Sequence, residues 1–159
     1  MSPNQRADFA MIANWIPAHS RVLDLGCGDG GLLKYLQENK QTRGYGIDIN
    51  AHNIRSCTEL GISVIQTDLE AGLSMFETGT FDYVILSQTL QAMRHVAPLL
   101  QEMLRVGKQG IVSFPNFGYW KNRWQQLILG KMPVSDTLPY QWYDTPNIHL
   151  CTVKDFEIL

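Results

Sequence analysis

The chain has 159 residues, 45% of them hydrophobic, which is enough for one domain with a core of its own and too few for two. Its formal net charge is −2 and charged residues make up 18%, so no overall basic excess favours nucleic acid or anionic lipid. The three cysteines lie far apart, no stretch approaches the roughly 18 apolar residues of a membrane span, and the amino terminus lacks the layout of a signal peptide, so we expect a cytoplasmic protein without a disulfide framework.

The chain opens with a helix, a strand and a glycine-rich loop. Ser2 followed by Pro3 is typical of an N-cap and first helical residue, and apolar residues recur at helical spacing until Pro17. Arg21–Leu25 (RVLDL) is a short β-prone run that ends at a cluster of four glycines, after which leucines resume a helical period. We therefore predict an N-terminal helix over residues 1–17, then a strand, a tight loop and a second helix.

Four more β-prone runs follow, with helical patterns between them. They are Tyr45–Ile49, Ser63–Thr67, Phe81–Ser87 and Gln109–Phe114. Asn50 is a candidate N-cap for a helix that Gly61 ends, and the helical pattern from Leu90 to Leu104 should break or bend near Pro98. Strands that alternate with helices predict an α/β fold in three layers, a mostly parallel sheet with helices on both faces.

The pattern changes at Pro115, where an aromatic-rich helix and then a proline-rich stretch begin. We expect residues 115–159 to form a cap over the sheet, as part of a single domain spanning the chain. Thr152 with Asp155 three residues later predicts the start of a last helix. Only about two turns of it fit before Leu159, at 3.6 residues per turn, so we expect the carboxyl end to be shortened.

The glycine cluster VLDLGCGDGG stands at the turn from the first strand into a helix. Missing side chains there let a ligand approach backbone NH groups and the helix N-terminus, which predicts a cofactor site. Gly26, Gly28 and Gly31 also satisfy GxGxxG, and Asp48 lies 20 residues beyond Gly28, as in dinucleotide-binding proteins. Spacing alone does not separate the two kinds of cofactor.

Three features favour S-adenosylmethionine over NAD. Asp24 precedes the first glycine at the strand end, where its charge repels a pyrophosphate and attracts the cationic methionine end of S-adenosylmethionine. Asp68, just after the third strand, adds to Asp24 and Asp48 a third acid at a carboxyl-terminal strand edge, in reach of an adenine amino group. The fourth strand ends in a small and an amide side chain, Ser87 and Gln88.

These motifs resemble those of class I S-adenosylmethionine-dependent methyltransferases. VLDLGCGDG is similar to their motif I, with GIDI and TDLE in the places of the next two motifs, and the match spans residues 20–114 as the cofactor-binding core. The resemblance implies a Rossmann-like fold that binds S-adenosylmethionine or S-adenosylhomocysteine. The cofactor residues it implies are Asp24 and the backbone of Gly26, Cys27 and Gly28 at the methionine moiety, Asp48 at the ribose hydroxyls, Asp68 with Leu69 at the adenine, and Ser87 beneath the sulfonium. Ile49, which follows Asp48, is also among the implied cofactor residues.

A narrower resemblance covers nearly the whole chain. DFAMIANWIPAHSRVLDLGCGDGGLL, SFPNFGYWKNRW and YDTPNIHLCTVKDFE together resemble the MetW family. This implies a role in methionine biosynthesis, with a homoserine O-acyltransferase as the partner that the protein activates. Family members continue past Leu159, and the last two strands of a seven-stranded sheet are not evident before it, so we expect this sequence to lack them.

Other chemistry is weaker in the sequence. Cys27 could be a nucleophile, but no histidine is near it in sequence, and a small residue in a glycine turn explains it better. His149 and Cys151 are two possible metal ligands without a cluster around them, so we expect a packed pair and no metal.

Residues 103–135 hold five basic side chains and no acid, interleaved with aromatics. We rank packing of these aromatics on the sheet first, a protein-docking face second and nucleic-acid binding last.

The acceptor side of any methyl transfer is not identified. An (N/D)PPY motif, typical of methyltransferases that act on amino groups, is missing after the fourth strand, where SQTL stands, and no catalytic residue emerges. Candidates to face a substrate or partner are Gln88, Asn116, Tyr119, Trp120, Arg123 and Trp124. Two functions therefore stay open: a cofactor-binding partner of an acyltransferase, and a methyltransferase acting on a small acceptor.

Overall fold

The computed structural model describes residues 3–135 and 138–159, which form two compact units. The first, the sheet unit, runs through Ser87 and takes in His95–Val112. The second, the C-terminal unit, comprises Gln88–Arg94 and Ser113–Leu159. No helix among these described residues is both long enough and apolar enough to span a bilayer.

The strands and helices of the first part of the chain alternate as the sequence predicts. The strands are β1 (Arg21–Leu25), β2 (Arg43–Asp48), β3 (Val64–Gln66), β4 (Phe81–Ser87) and β5 (Gly107–Ser113), and the helices are α1 (Pro3–Trp15), α2 (Gly31–Lys40), α3 (Ala51–Glu59) and α4 (Val96–Val106). Helix α1 begins at Pro3, as predicted, whereas the expected N-cap Ser2 lies outside the described residues. The Asn50 side chain caps α3 by accepting a hydrogen bond from the His52 amide.

The five strands form one parallel sheet in the order β3-β2-β1-β4-β5. Leu23 of β1 lies beside Tyr45 of β2 on one side and Val84 of β4 on the other. Since parallel crossovers are right-handed, α2 and α3 cover one face and α4 the other. The three-layer α/β prediction is confirmed. The connections diverge between β1 and β4, and ligands bind at such a point in open α/β sheets.

Apolar side chains fill both faces of the sheet. On one face Val22, Ile85 and Ile111 belong to a buried cluster with Ile12 and Ile16 of α1 and Leu33 and Leu36 of α2. Side chains alternate along a strand, so their neighbours Leu23, Leu25, Val84 and Leu86 serve the opposite face, where all four are fully buried. Leu99, Met103 and Val106 are the buried residues of α4. Burial on both faces explains why consecutive residues in the middle of these strands, such as Val22 and Leu23 or Val84–Leu86, are apolar.

The helical pattern from Leu90 to Leu104 is broken near Pro98, as predicted, but the break lies before the proline. Leu90–Ala92 is a single 3₁₀ turn, and α4 begins at Val96. Pro98 then lies in the first turn of α4, where an amide has no helical partner to lose. Proline is therefore accommodated there without a bend.

The C-terminal unit contains α5 (Trp120–Leu129) and α6 (Val153–Ile158) joined by irregular chain. Backbone hydrogen bonds link distant parts of the unit: the carbonyl of Gln91 accepts from the amides of Ile148 and His149 at 2.7 and 2.9 Å. Helix α6 has the predicted start, since the Thr152 hydroxyl accepts from the Asp155 amide and the Asp155 carboxylate accepts from the Thr152 amide.

Candidate functional site

The glycine loop between β1 and α2 is tied to the neighbouring strand. The amides of Gly26 and Cys27 both donate to the Ile47 carbonyl, at 2.8 and 2.9 Å. Gly26, Gly28 and Gly30 have φ angles of 74°, 55° and 80°, a region that L-residues with side chains rarely adopt. A Cβ added at Gly28 would meet no atom within 4 Å, so the loop borders open space at this point.

Asp48, at the end of β2, is fixed by three donors. Its carboxylate accepts from the Gly28 amide at 2.9 Å, the Asn50 amide at 2.8 Å and the Asn53 side-chain amide at 3.1 Å. This network joins β2, the glycine loop and α3 around one buried carboxylate. Sequence reasoning missed Asn53, although an amide side chain one helical turn after the Asn50 cap is placed to reach back toward the strand end.

Asp24, at the end of β1, is buried beside this network. It is 2% exposed, and its Oδ1 atom has no hydrogen-bond partner among the described residues. Burial, and secondarily the charge of Asp48, raises the pKa of Asp24 to about 7. A buried carboxyl oxygen without a donor is uncommon, because the desolvation cost is normally offset by a hydrogen bond. The arrangement fits a ligand that brings a positive charge or a donor to this edge.

The ends of β2 and β3 lie side by side at the same edge. The Thr67 amide donates to the Asp48 carbonyl at 3.2 Å, and the Gln66 side chain donates to the Ile49 carbonyl. Ile49 is 64% exposed directly after Asp48, and Asp68 is exposed one residue beyond Thr67. The Asp68 carboxylate caps a 3₁₀ turn, Leu69–Ala71, in which Leu69 is buried. The structure thus brings Asp48, Ile49 and Asp68 to one edge of the sheet.

The end of β4 leads into a strained backbone. Ser87 is half-buried as the last residue of the strand. Gln88 has φ = 54°, which is rare for a residue with a side chain; its amide donates to the Ser113 carbonyl, and its carbonyl accepts from the Gln91 side chain. The Oε1 atom of Gln91 is buried without a partner among the described residues. Backbone strain of this kind concentrates at functional sites, and Gln91 is a candidate that the sequence did not single out.

The remaining candidates surround the start of α5. The Asn116 side chain accepts from the Gly118 amide, and the Asn116 carbonyl accepts from the Tyr119 amide. The rings of Tyr119 and Trp120 are 5.9 Å apart. The expectation that the aromatic residues here pack into the core is wrong, because Trp120 and Trp124 are 59% and 55% exposed. Polar Asn122 is the one buried residue of α5.

The cysteines act as packed side chains. The thiols of Cys27 and Cys57 are 3.8 Å apart and buried, and the Cys57 thiol donates to the Gly28 carbonyl. Burial raises the pKa of both thiols, and the nearby carboxylates of Asp24 and Asp48 act in the same direction. Neither thiol is therefore prepared as a nucleophile. Within residues 3–135 and 138–159, no three His, Cys, Asp or Glu side chains group as a metal site would require.

Comparison with known proteins shows which family the chain matches. The family model described as methionine biosynthesis protein MetW matches residues 6–159. The chain belongs to the MetW family. A bifunctional methionine biosynthesis protein MetXA/MetW of Rhodopirellula baltica is 41% identical over an alignment of 157 residues. The match covers 93% of this chain and 25% of that protein. The MetW resemblance of the sequence is confirmed.

Further relatives are methyltransferases. A 2-methyl-6-phytyl-1,4-hydroquinone methyltransferase of Synechocystis is 29% identical, over 86% of this MetW chain and 46% of that enzyme. A solved S-adenosylmethionine-dependent methyltransferase of Archaeoglobus fulgidus superposes with a TM-score of 0.71 at 19% identity, covering 96% of this chain and 65% of that one. This MetW chain has the methyltransferase fold and spans between a quarter and just under two thirds of these proteins' lengths.

Proposed function

We propose that this MetW-family chain binds S-adenosylmethionine, or its demethylated product S-adenosylhomocysteine, at the carboxyl-terminal edge of β1, β2 and β3. The observation that carries the proposal is the buried Oδ1 atom of Asp24, which has no hydrogen-bond partner in the described part of the chain and lies beside the open glycine loop. The methyltransferase fold of the chain supports the choice of ligand.

The residues at this edge fit the ligand's chemistry. The ammonium of the methionine moiety can donate to Asp24, whereas a pyrophosphate would be repelled by Asp24 and Asp48 together. In this proposal Asp48 accepts from the ribose hydroxyls, and Ile49 offers an exposed apolar side chain to the adenine. Asp68 and Leu69 at the adenine and Ser87 beneath the sulfonium complete it. The ligand, when bound, supplies a methyl group on a positively charged sulfur.

The second part of the proposal concerns the partner. The Rhodopirellula protein carries a MetXA and a MetW name in one chain, and this chain covers a quarter of it. We take MetXA to be the homoserine O-acyltransferase and propose that the present chain binds and activates that enzyme. A site for a methionine derivative would let the product of the pathway change this association. Such coupling is reciprocal: adenosylmethionine and the acyltransferase must change each other's affinity by the same factor.

The ligand proposal is tested by calorimetric titration with adenosylmethionine and NAD at different pH. Only the ionised form of Asp24 attracts the ligand's ammonium, and its ionised fraction rises through a pKa of about 7. Affinity for adenosylmethionine should therefore rise about tenfold between about pH 6 and pH 8. In Asp24→Asn, both the affinity and its pH dependence should fall. Binding of NAD without binding of adenosylmethionine would refute the assignment.

The partner proposal is tested by activity. Acyl-homoserine formation by the purified homoserine O-acyltransferase of the same organism should increase when this chain is added. Adenosylmethionine should change the concentration of this chain at which acyl-homoserine formation reaches half of its maximal increase. An acyltransferase that is equally active alone would remove the activating role.

Methyl transfer to a small acceptor is the second candidate. It is favoured by the strained backbone of Gln88 and by the Oε1 atom of Gln91, which has no partner among the residues that the structure describes. Together they offer polar groups to an acceptor within the C-terminal unit. Release of labelled methyl groups from adenosylmethionine over a panel of metabolites distinguishes the two candidates, because a cofactor-sensing partner releases none.

A further inference from the structure

Helix α5 carries its apolar side chains on the outside. At about 100° per residue, Trp120, Trp124, Leu127 and Ile128 fall on one stripe, and Asn122 lies on the opposite side of the helix. Leu127 and Ile128 are 76% and 69% exposed, whereas Asn122 is 3% exposed and its side chain donates to the Asn116 carbonyl. Asn122 is therefore the point at which α5 packs within its unit, while Leu129, near it at the end of the helix, is 58% exposed. The apolar stripe is left uncovered among the described residues.

The stripe is bordered by positive charge. Lys121 follows Trp120 on one flank, with its ammonium 5.7 Å from the centre of the Trp120 ring, and Arg123 lies on the other flank. Lys131 comes just after the helix ends at Gly130, whose φ of 61° is typical of a helix C-terminus. No acidic residue occurs between Glu102 and Asp136 in the sequence. The surface is thus an apolar ridge with a basic rim.

We propose that α5 is the docking helix of this chain and inserts its ridge into an apolar groove, rimmed by carboxylates, on a protein partner. Anchors at positions i, i+4 and i+7 of one helix are the pattern by which a helix fills such a groove. Tryptophan and arginine also dominate the energetics of protein interfaces. The acidic rim of the partner follows from charge complementarity with Lys121, Arg123 and Lys131.

Other occupants fit the surface less well. In a symmetric pair of copies the same patch meets itself, so two basic rims would face each other and repel. Single-stranded nucleic acid would stack on the tryptophans, but it gains little from the aliphatic Leu127 and Ile128, which are the most exposed residues of the ridge. An acidic-rimmed protein groove uses both the apolar and the basic side chains.

This inference rests on the proposed function for the identity of the partner, which is the homoserine O-acyltransferase. The experiment is calorimetric titration of the full chain into the purified acyltransferase at two salt concentrations. Leu127→Glu breaks the ridge, and Leu104→Glu is its matched control, because Leu104 is a similarly exposed leucine on α4. Arg123→Glu reverses one rim charge, and Arg55→Glu on α3 is its control.

We expect Leu127→Glu to weaken binding at least about thirtyfold, the effect of losing a central interface anchor. Arg123→Glu should weaken it less and reduce its dependence on salt. Both control variants should bind as the unaltered chain does. Leu127→Glu should also melt at an unchanged temperature and bind adenosylmethionine normally, which excludes misfolding as the cause.

Three results would overturn the inference. If the chain binds the acyltransferase and Leu127→Glu binds equally well, the docking surface is wrong while the proposed partnership stands. If the unaltered chain does not bind the enzyme, the partnership and the surface both fail, whatever the affinity for adenosylmethionine. If sedimentation shows self-association, or if a labelled oligonucleotide binds, and Leu127→Glu abolishes either one, the occupant is a second copy or nucleic acid instead.

Discussion

The two units of this chain use their apolar side chains in opposite ways. In the sheet unit, leucine, isoleucine and valine fill both faces of the sheet. The central strands are buried over Val22–Leu25 of β1 and Val84–Leu86 of β4. In the C-terminal unit, Leu90 and Leu138 are the buried leucines among the described residues, while tryptophans and tyrosines are largely exposed. The hydrophobic effect thus accounts for the fold of the first unit and much less for that of the second.

Backbone hydrogen bonds join distant segments of the C-terminal unit. The Gln91 carbonyl accepts from the Ile148 and His149 amides, and the Phe117 amide donates to the Cys151 carbonyl. Each such bond contributes only about 1 kcal/mol net. Large apolar side chains that a unit does not bury for its own folding remain available for binding, and exposed patches of this kind mark interaction sites. The sheet unit therefore uses its large apolar side chains for folding, whereas the C-terminal unit leaves many of its own exposed for recognition.

The largest expected effect tests this contrast with two leucines on helices. Leu36 on α2 is fully buried and Leu127 on α5 is exposed. Leu36→Ala should lower the free energy of unfolding by about 2 to 5 kcal/mol, because it removes packed methyl groups and leaves a cavity. Leu127→Ala should change it by less than about 0.5 kcal/mol. Urea denaturation followed by circular dichroism measures both, and similar losses would show that the ridge supports the fold.

Asp24 gives the next effect, because it is a buried carboxyl of the sheet unit whose Oδ1 atom has no hydrogen-bond partner among the described residues. Burial raises the pKa of this carboxyl from its ordinary value of 3.8 to about 7, so the native state holds the proton more tightly than the unfolded state. Stability must fall as pH rises between these values and level off above about 7. Relative to Asp24→Asn, the unaltered chain should lose about 2 to 3 kcal/mol between about pH 5 and pH 8.

Thermal denaturation of both proteins across this pH range measures the difference. Parallel curves for the two proteins would mean that Asp24 titrates normally and that the site carries no cost to stability. A gap that grows as pH rises to about 7 and is constant above it, together with weaker adenosylmethionine binding by Asp24→Asn, would mark a residue kept for binding at the expense of stability.

The same contrast explains how far the sequence could be interpreted. Strands β1 and β4 have the predicted ends, because short β-prone runs bounded by turn-forming and polar residues identify strands. The positions of Asp24, Asp48 and Asp68 in the sequence were sufficient to predict that they lie at strand ends. The inward face of α5 was not predictable, since apolar spacing on a helix gives a stripe but does not say what covers it.

The sequence also did not predict the tertiary contacts at the site. The hydrogen bond from Asn53 to Asp48 and the thiol pair of Cys27 and Cys57 join residues on different elements, whose distance no local pattern encodes. Pro98 gave only the approximate place of the helix boundary, because proline fits the first turn of a helix as well as the residues that follow its end. Patterns along the chain predicted the elements and the site's edge, and missed the contacts that fix Asp48.

The smallest expected effect concerns the cap of α6, where the C-terminal unit depends on polar contacts. Removing the hydroxyl in Thr152→Ala leaves the Asp155 amide without its acceptor and should cost about 1 kcal/mol. Thr152→Ser keeps the hydroxyl and is the matched control. Hydrogen exchange of the α6 amides is the suitable measurement, because it reports local opening, and a loss of about 1 kcal/mol accelerates exchange roughly fivefold.

The rings of Phe114 and Phe156 are 5.1 Å apart and hold the same helix by packing. Unchanged exchange in Thr152→Ala would mean that this aromatic pair suffices, and that burial stabilises the C-terminal unit as it does the sheet unit.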